Sequence, residues 1–253
     1  MTTSLTHIME QLDRWLQPGQ VSDYCPNGLQ VEGRARVKRI VTGVTASQAL
    51  LDAAVLADAD AILVHHGYFW RGEDACIKGI KKRRIQTLLK HDISLIAYHL
   101  PLDIHPELGN NVQLAQRLGF EIEGGLERDS RQPIGLWGRL SQPLPAAEFV
   151  ALLGRVLGRQ PQHIAGSSEM ISTVGWCTGA AQGYIEHAIN RGLDAFVSGE
   201  ISEPTVHAAR EGGVHYFAAG HHATERYGVQ ALGERLAKEF DIEHLYIEID
   251  NPV

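Results

Sequence analysis

Apolar residues recur at helical spacing near the start of the chain, where Leu5, Ile8, Leu12, Trp15 and Leu16 would share one face of an α-helix. Further on the pattern changes to short apolar runs that stop at polar residues: Ile62-Leu63-Val64, Leu95-Ile96-Ala97, Phe196-Val197 and Tyr216-Phe217-Ala218-Ala219. Runs of this length read as buried strands. The helical period returns at Phe149, Val150, Leu153, Val156 and Leu157, and again at Val229, Leu232, Leu236 and Phe240, which predicts a long helix near the end. IGLWGRL at 134–140 reads as a strand, and HLYIEID at 244–250 alternates as a closing strand that could join either of two sheets.

These elements repeat. VTGVTASQALLDAAVLADADAILVHHGYFW at 41–70 is echoed by VGWCTGAAQGYIEHAINRGLDAFVSGEISE at 174–203 with one residue inserted: Val41 matches Val174, Thr45 matches Thr178, and Asp60-Ala61 matches Asp194-Ala195. A second pair, 88–103 and 208–225, runs an apolar strand into a histidine-bearing turn, with His99 and His221 at nearly equivalent places. Strands alternating with helices of this length imply parallel β-α-β units, because parallel neighbours need a crossover. The expected fold class is therefore α/β, with two related halves of mainly parallel or mixed sheet flanked by helices. EIEGGLERDSRQP at 121–133 lacks apolar periodicity and reads as the connector, giving halves at 1–125 and 126–253, with the last strand open to packing on the first half.

Composition narrows the class. With 253 residues, 44% of them apolar, the chain can bury a proper core, and a formal charge of −7 does not provide the broad positive field of a nucleic-acid binder. Cys25, Cys76 and Cys177 are odd in number and far apart, so neither a disulfide framework nor a Cys-x-x-Cys knuckle is expected, and all three read as packing residues in a reducing, cytoplasmic setting. The first residues carry no basic start or apolar stretch of the secretory kind, and no window approaches the roughly 20 apolar residues of a membrane-crossing helix.

Ligands of open α/β sheets bind beyond the carboxyl ends of parallel strands. His65 and His66, His99 and Asp103, Glu200, and His221 and His222 all fall at such ends. Adjacent strand residues point oppositely, so His65 and His66 are expected to serve two neighbouring ions rather than one. His221 and Glu225 are spaced i, i+4 and share a helical face if a helix starts near Gly220. A bridging carboxylate such as Glu225, with Asp103 as a further hard oxygen, would complete a pair of sites about 3.5–4 Å apart, able to clamp a substrate oxygen and activate water. Histidine mixed with carboxylate suits zinc, iron, manganese, nickel or cobalt better than calcium. His99, Glu200 and His222 are cast as groups that orient ligands or move protons. The basic run Lys78, Lys81, Lys82, Arg83, Arg84 reads as a solvated helix face rather than a phosphate site, and Phe69 and Trp70 could line a pocket or simply pack.

SDYCPNGLQVEG at 22–33, ILVHHGYFW at 62–70, YHLPLDIHPELGNN at 98–111 and AAGHHATE at 218–225 resemble the Nif-three-like family, in its bacterial YbgI-type branch, sometimes labelled GTP cyclohydrolase type-two homologues. The resemblance covers nearly the whole chain. It implies two intertwined α/β domains, a dinuclear divalent metal centre and a ring-like homohexamer, with metal ligands at His65, His66, Asp103, His221 and Glu225. Of the pair at 221–222, the helical spacing to Glu225 and the family pattern both choose His221. The function expected is a metal-dependent hydrolase for a small nucleotide-like or phosphorylated substrate. The alternatives are a non-catalytic metal-binding interaction or regulatory module and, further off, an iron oxidoreductase. No Gly-x-x-x-x-Gly-Lys-Ser/Thr phosphate loop accompanies the cyclohydrolase label.

Overall fold

The computed structural model describes residues 2–253. The chain forms two units, one of Met1–Leu108 with Gly228–Asp250, the other of Gly109–Tyr227 with Asn251–Val253. The first opens with β1 (Thr3–Ser4) and α1 (Leu5–Leu16), whose start is set by the Ser4 side chain accepting from the His7 N–H at 3.2 Å. It continues through β2 (Gly28–Val31), β3 (Arg36–Val37), β4 (Arg39–Thr45), α2 (Gln48–Leu56), β5 (Ala61–His66), α3 (Gly79–His91), β6 (Ser94–Ala97) and the short α4 (Leu100–Asp103). The second contains α5 (Asn110–Leu118), β7 (Phe120–Gly125), β8 (Leu136–Pro145), α6 (Ala146–Leu157), β9 (Gln162–Ile164), β10 (Met170–Cys177), α7 (Ile185–Arg191), β11 (Ala195–Ser198), α8 (Glu203–Gly212) and β12 (His215–Ala218). The long helix α9 (His221–Phe240) and strand β13 (Glu243–Tyr246) close the chain.

The first unit's five-stranded sheet has the order β13-β4-β5-β6-β2, parallel except for β2. The closing strand therefore joins the first sheet, with Leu245 opposite Val41. Both faces are covered, as a parallel sheet requires. Alternate residues Ile40, Leu63 and Ile96 pack with Leu5, Ile8 and Leu12 of α1 and Val229, Leu232 and Leu236 of α9, while Val41, Ile62, Val64 and Leu95 pack with Leu50, Leu51 and Leu88 of α2 and α3. Trp15 and Phe240 sit half-buried at the margin of the first cluster.

The second unit's six-stranded sheet runs β7-β8-β10-β11-β12-β9, parallel through β10, β11 and β12 and antiparallel at both edges. Val174, Trp176, Val197 and Phe217 face Phe149, Leu153 and Leu157 of α6; Phe196, Tyr216 and Cys177 face Ile185, Ala188 and Ala209 of α7 and α8. The expected division at residue 125 differs from the observed units. The stretch read as a connector begins as strand β7, which pairs with β8 through Phe120–Leu140 and Gly125–Leu136 and so belongs inside the second sheet.

The repeat has a structural cause. Asp60 Oδ2 accepts from the backbone N–H groups of Lys38 (2.6 Å) and Arg39 (2.9 Å) at the entry to β4, and Asp194 Oδ2 accepts from those of Ser172 (3.0 Å) and Thr173 (2.9 Å) within β10. In each unit a carboxylate just ahead of the second parallel strand anchors the first.

Candidate metal centre

In the first unit, β5 ends at His65 and His66. His65 Nδ1 lies 3.0 Å from the Tyr98 carbonyl just beyond β6. A carbonyl only accepts, so Nδ1 carries a hydrogen, and in the neutral form of the ring the lone pair lies on Nε2. That nitrogen lies 3.5 Å from Asp103 Oδ1, on a side chain buried at the end of α4. His66 Nδ1 lies 3.1 Å from Thr45 Oγ1 on the neighbouring strand. The two rings do not diverge as strand alternation predicts: their centroids are 4.6 Å apart. His66 is the last residue of its strand, where the pleat no longer fixes direction, and each ring is held by its own hydrogen-bond partner, Tyr98 for His65 and Thr45 for His66.

His99 joins them, its ring 5.0 Å from that of His65 and 5.8 Å from that of His66, and the three residues each offer a nitrogen within 4.8 Å of the others. Asp23 positions it. One carboxylate oxygen of Asp23 meets His99 Nδ1 at 2.9 Å and the Tyr24 N–H at 2.7 Å; the other accepts from the Leu100 N–H at 2.9 Å and Asn27 Nδ2 at 3.0 Å. Burial alone would raise this carboxyl's pKa, but the bonds from His99 and Asn27 and the field of His99 outweigh it and hold the pKa far below the carboxylate range. Cys25 beside it, 3.8 Å from Asp23 Oδ1, is half-buried, and its thiol is pushed up to about 12 by burial and then by the Asp23 and Asp103 charges, so it is no thiolate nucleophile. Trp70 and Tyr24 set ring edges against His99 at 5.0 Å each; Trp70 thus packs at the histidine cluster.

In the second unit, α9 begins at His221, one residue after Gly220 at φ +101°, where a Cβ would meet the Arg159 side chain at 2.4 Å. His221 Nε2 lies 2.9 Å from Glu225 one turn on, and Nδ1 lies 2.7 Å from Glu200 Oε1, a contact that fixes the ring's direction. Burial lowers the His221 pKa, yet the two carboxylates, Glu225 first, raise it to about 9. Gly179, at φ +69°, makes room for this pair: a Cβ there would stand 1.9 Å from Glu225 Oε1 and 3.2 Å from His221 Nε2. Its N–H donates to Thr224 Oγ1 at 3.1 Å. His222 is buried with its N–H donating to the Val253 carbonyl at 3.0 Å.

Each unit thus gathers its own expected donors: His65, His66 and Asp103 with His99 in the first, His221 and Glu225 with Glu200 in the second. Donor sets of buried imidazole and carboxylate, with Nδ1 of His65, His99 and His221 engaged by a carbonyl or a carboxylate, fit a borderline divalent cation. Asp23, Gly179 and Thr224 were not expected. Asp23 lies in the motif at 22–33 and Gly179 follows the repeated Thr178, so both carried a signal, but their partners are distant in sequence. Of the other flagged residues, exposed Lys78 pairs with Asp74 at 2.6 Å, and Lys81, whose side chain is 16% exposed, pairs with Glu73 at 3.0 Å. Cys177 is buried as expected, whereas Cys76 is exposed because it sits in the loop before α3. Among the described residues no helix is long and apolar enough to cross a membrane.

Residues 3–252 match the family model described as Duf34/NIF3 (NGG1p interacting factor 3). A Pseudomonas aeruginosa protein named GTP cyclohydrolase 1 type 2 homolog is 59% identical over 252 residues, covering 100% of both chains, and the Escherichia coli K12 protein of the same name is 50% identical over 248 residues, covering 98% of each. Among solved structures, one described as protein ybgI of unknown function superposes with a TM-score of 0.95 at 49% identity, covering 99% of this chain and 100% of that one. Reduced HcgD from Methanocaldococcus jannaschii shares the fold at a TM-score of 0.85 and 20% identity, covering 98% and 99%.

Proposed function

Because this chain belongs to the Duf34/NIF3 family, we propose that it is a dinuclear metal protein in which His65, His66 and Asp103 from one unit and His221 and Glu225 from the other hold two divalent ions, and that it hydrolyses a small nucleotide-like or phosphorylated substrate. The observation that carries the metal reading is the orientation of the histidines. His65 is held through Nδ1 by a carbonyl, with Nε2 turned to the Asp103 carboxylate, and His221 lies between two carboxylates. Ions bound there would supply Lewis acidity toward a substrate oxygen and lower the pKa of a bound water.

The protein's own groups do the rest. Asp23, ionised and holding Nδ1 of His99, leaves Nε2 of that ring to accept or return a proton beside the two other histidines. Glu200 fixes the His221 ring, and Gly179 lets Glu225 approach it. The hydrolytic chemistry rests on the name shared by the curated relatives, and the homohexamer on the family resemblance, tested by light scattering for a mass six times the 27.8 kDa chain. The reaction is tested on metal-loaded protein with a panel of nucleotides and phosphoesters. Turnover abolished by Asp103→Ala supports it, and no turnover of any member with metal content intact leaves a metal-binding module instead.

A further inference from the structure

Among the described residues five other than glycine adopt a left-handed backbone, and four of them, Gln17, Asp58, Asp92 and Asp241, are polar and sit at or just past helix ends. Phe69, at φ +67°, is the exception. A bulky side chain rarely takes this conformation; it persists only where its surroundings hold it, and such strain gathers at functional sites. Phe69 lies three residues after His66, in the turn that carries the chain out of β5.

The turn is fastened on both sides of Phe69. Gln30 of β2 grips Tyr68 twice, accepting from its N–H at 2.7 Å and donating to its carbonyl at 3.1 Å, and the Tyr68 hydroxyl donates to the Ala46 carbonyl at 2.9 Å. On the other side the Arg71 N–H donates to the Tyr24 carbonyl at 2.7 Å, and its guanidinium to the Asp23 carbonyl at 3.0 Å. The Phe69 ring itself packs on the cluster that contains Ile85 and Leu88 of α3, with Lys81 Nζ 5.4 Å from its centre.

What the strain fixes is Trp70. Its indole N–H donates to the Gly67 carbonyl at 3.2 Å, which folds the ring back over the turn. The ring then stands edge-on to His99, centroids 5.0 Å apart and planes at 85°, and 5.9 Å from His66. Asp23 holds the His99 ring only at Nδ1, and a ring held at one atom can still tilt. An edge-to-face aromatic contact is directional, so Trp70 limits that tilt. Its indole offers no ligand atom, since its nitrogen only donates.

Resting on the metal reading above, we infer that the strained turn at Phe69 is a positioning device: it sets Trp70 against His99 so that His99 keeps a nitrogen within reach of those of His65 and His66. Gln30, Phe69 and Trp70 are then positioning residues for the metal centre. The test uses the full chain and cobalt. Affinity is measured in competition with a chelator, quenching of tryptophan fluorescence is read at cobalt saturation, and thermal unfolding is recorded on the metal-free protein. Phe69→Gly permits the same backbone angle but removes the ring that enforces it. It is expected to weaken cobalt binding about tenfold, the lower end for groups that orient ligands, and to reduce the quenching at saturation. Trp70→Ala should weaken binding by a similar factor, and Trp70→Phe, which keeps a ring edge toward His99, should recover most of the loss. A merely structural role would shift the unfolding midpoint and leave affinity and quenching as in the parent, which would overturn the inference. Trp70→Phe binding no better than Trp70→Ala would also overturn it. If Trp70→Ala does not fold, Phe69→Gly decides. An unaltered protein that binds no cobalt would overturn the metal reading and this inference with it, whereas cobalt bound alike by parent and variants overturns the inference alone.

Discussion

Replacing Asp23 by asparagine tests the frame on which the histidine cluster hangs. The side chain is 3% exposed and receives five donors: His99 Nδ1, the N–H groups of Tyr24 and Leu100, Asn27 Nδ2 and, weakly, the Cys25 thiol. Asparagine offers one oxygen and turns an NH2 toward donors, so at least one N–H loses its acceptor and His99 loses its charged partner. An unsatisfied buried donor costs about 1–3 kcal/mol and a bond to a charged group contributes about 1.5–3, so a net loss of roughly 3 kcal/mol is expected. For a chain of this size that lowers the midpoint of thermal unfolding by about 6–12 °C. The sign with pH follows from the depressed pKa. Ionised Asp23 contributes stability that is fully present above its unfolded value of about 3.9 and is lost as pH falls below that toward the folded value, so Asp23→Asn flattens this acid limb. Because Asp23 orients His99, the variant should also weaken metal binding, by about 10–100-fold if His99 contributes as a neighbour of the ligands. Urea and thermal unfolding from pH 3 to 7, with a cycle through His99→Gln, measure both. A stability within about 0.5 kcal/mol of the parent, with no coupling to His99, would refute the reasoning.

Gly179→Ala places a Cβ on Glu225 in a left-handed backbone position, so a loss of about 2 kcal/mol or more and reduced metal content are expected, read by denaturant unfolding and elemental analysis. Asp60→Asn and Asp194→Asn should each cost about 2 kcal/mol in the same unfolding assay, because each carboxylate anchors two consecutive backbone N–H groups; equal stability of either variant with the parent would remove the shared role. Thiol titration with an aromatic disulfide should label Cys76 in seconds to minutes in the native protein and Cys177 only on unfolding, and the reverse order would contradict the burial of β10.

The parallel cores were legible because Ile62, Val64, Val197 and Phe217 lie in short apolar runs, and the repeated Asp-Ala pair marked equivalent strand starts before its hydrogen bonds were known. The helical faces of α1, α6 and α9 were legible for the same reason of period. Three features were not. The convergence of His65 and His66 depends on strand ends and on Tyr98 and Thr45, neighbours set by sheet order rather than by alternation. Strand β7 was hidden because Glu121 and Glu123 are polar edge residues whose pairing with β8 no local pattern announces. Asp23 acts through His99, 76 residues away, a contact that only the fold creates.

The most direct test of the central claim is the metal content of protein purified without added metal, measured for the parent, His65→Ala and Glu225→Ala. About two ions per chain are expected in the parent, with a clear loss in each variant, since each removes one of the proposed ligands. Normal metal content in both variants would contradict the assignment of these residues to a shared centre.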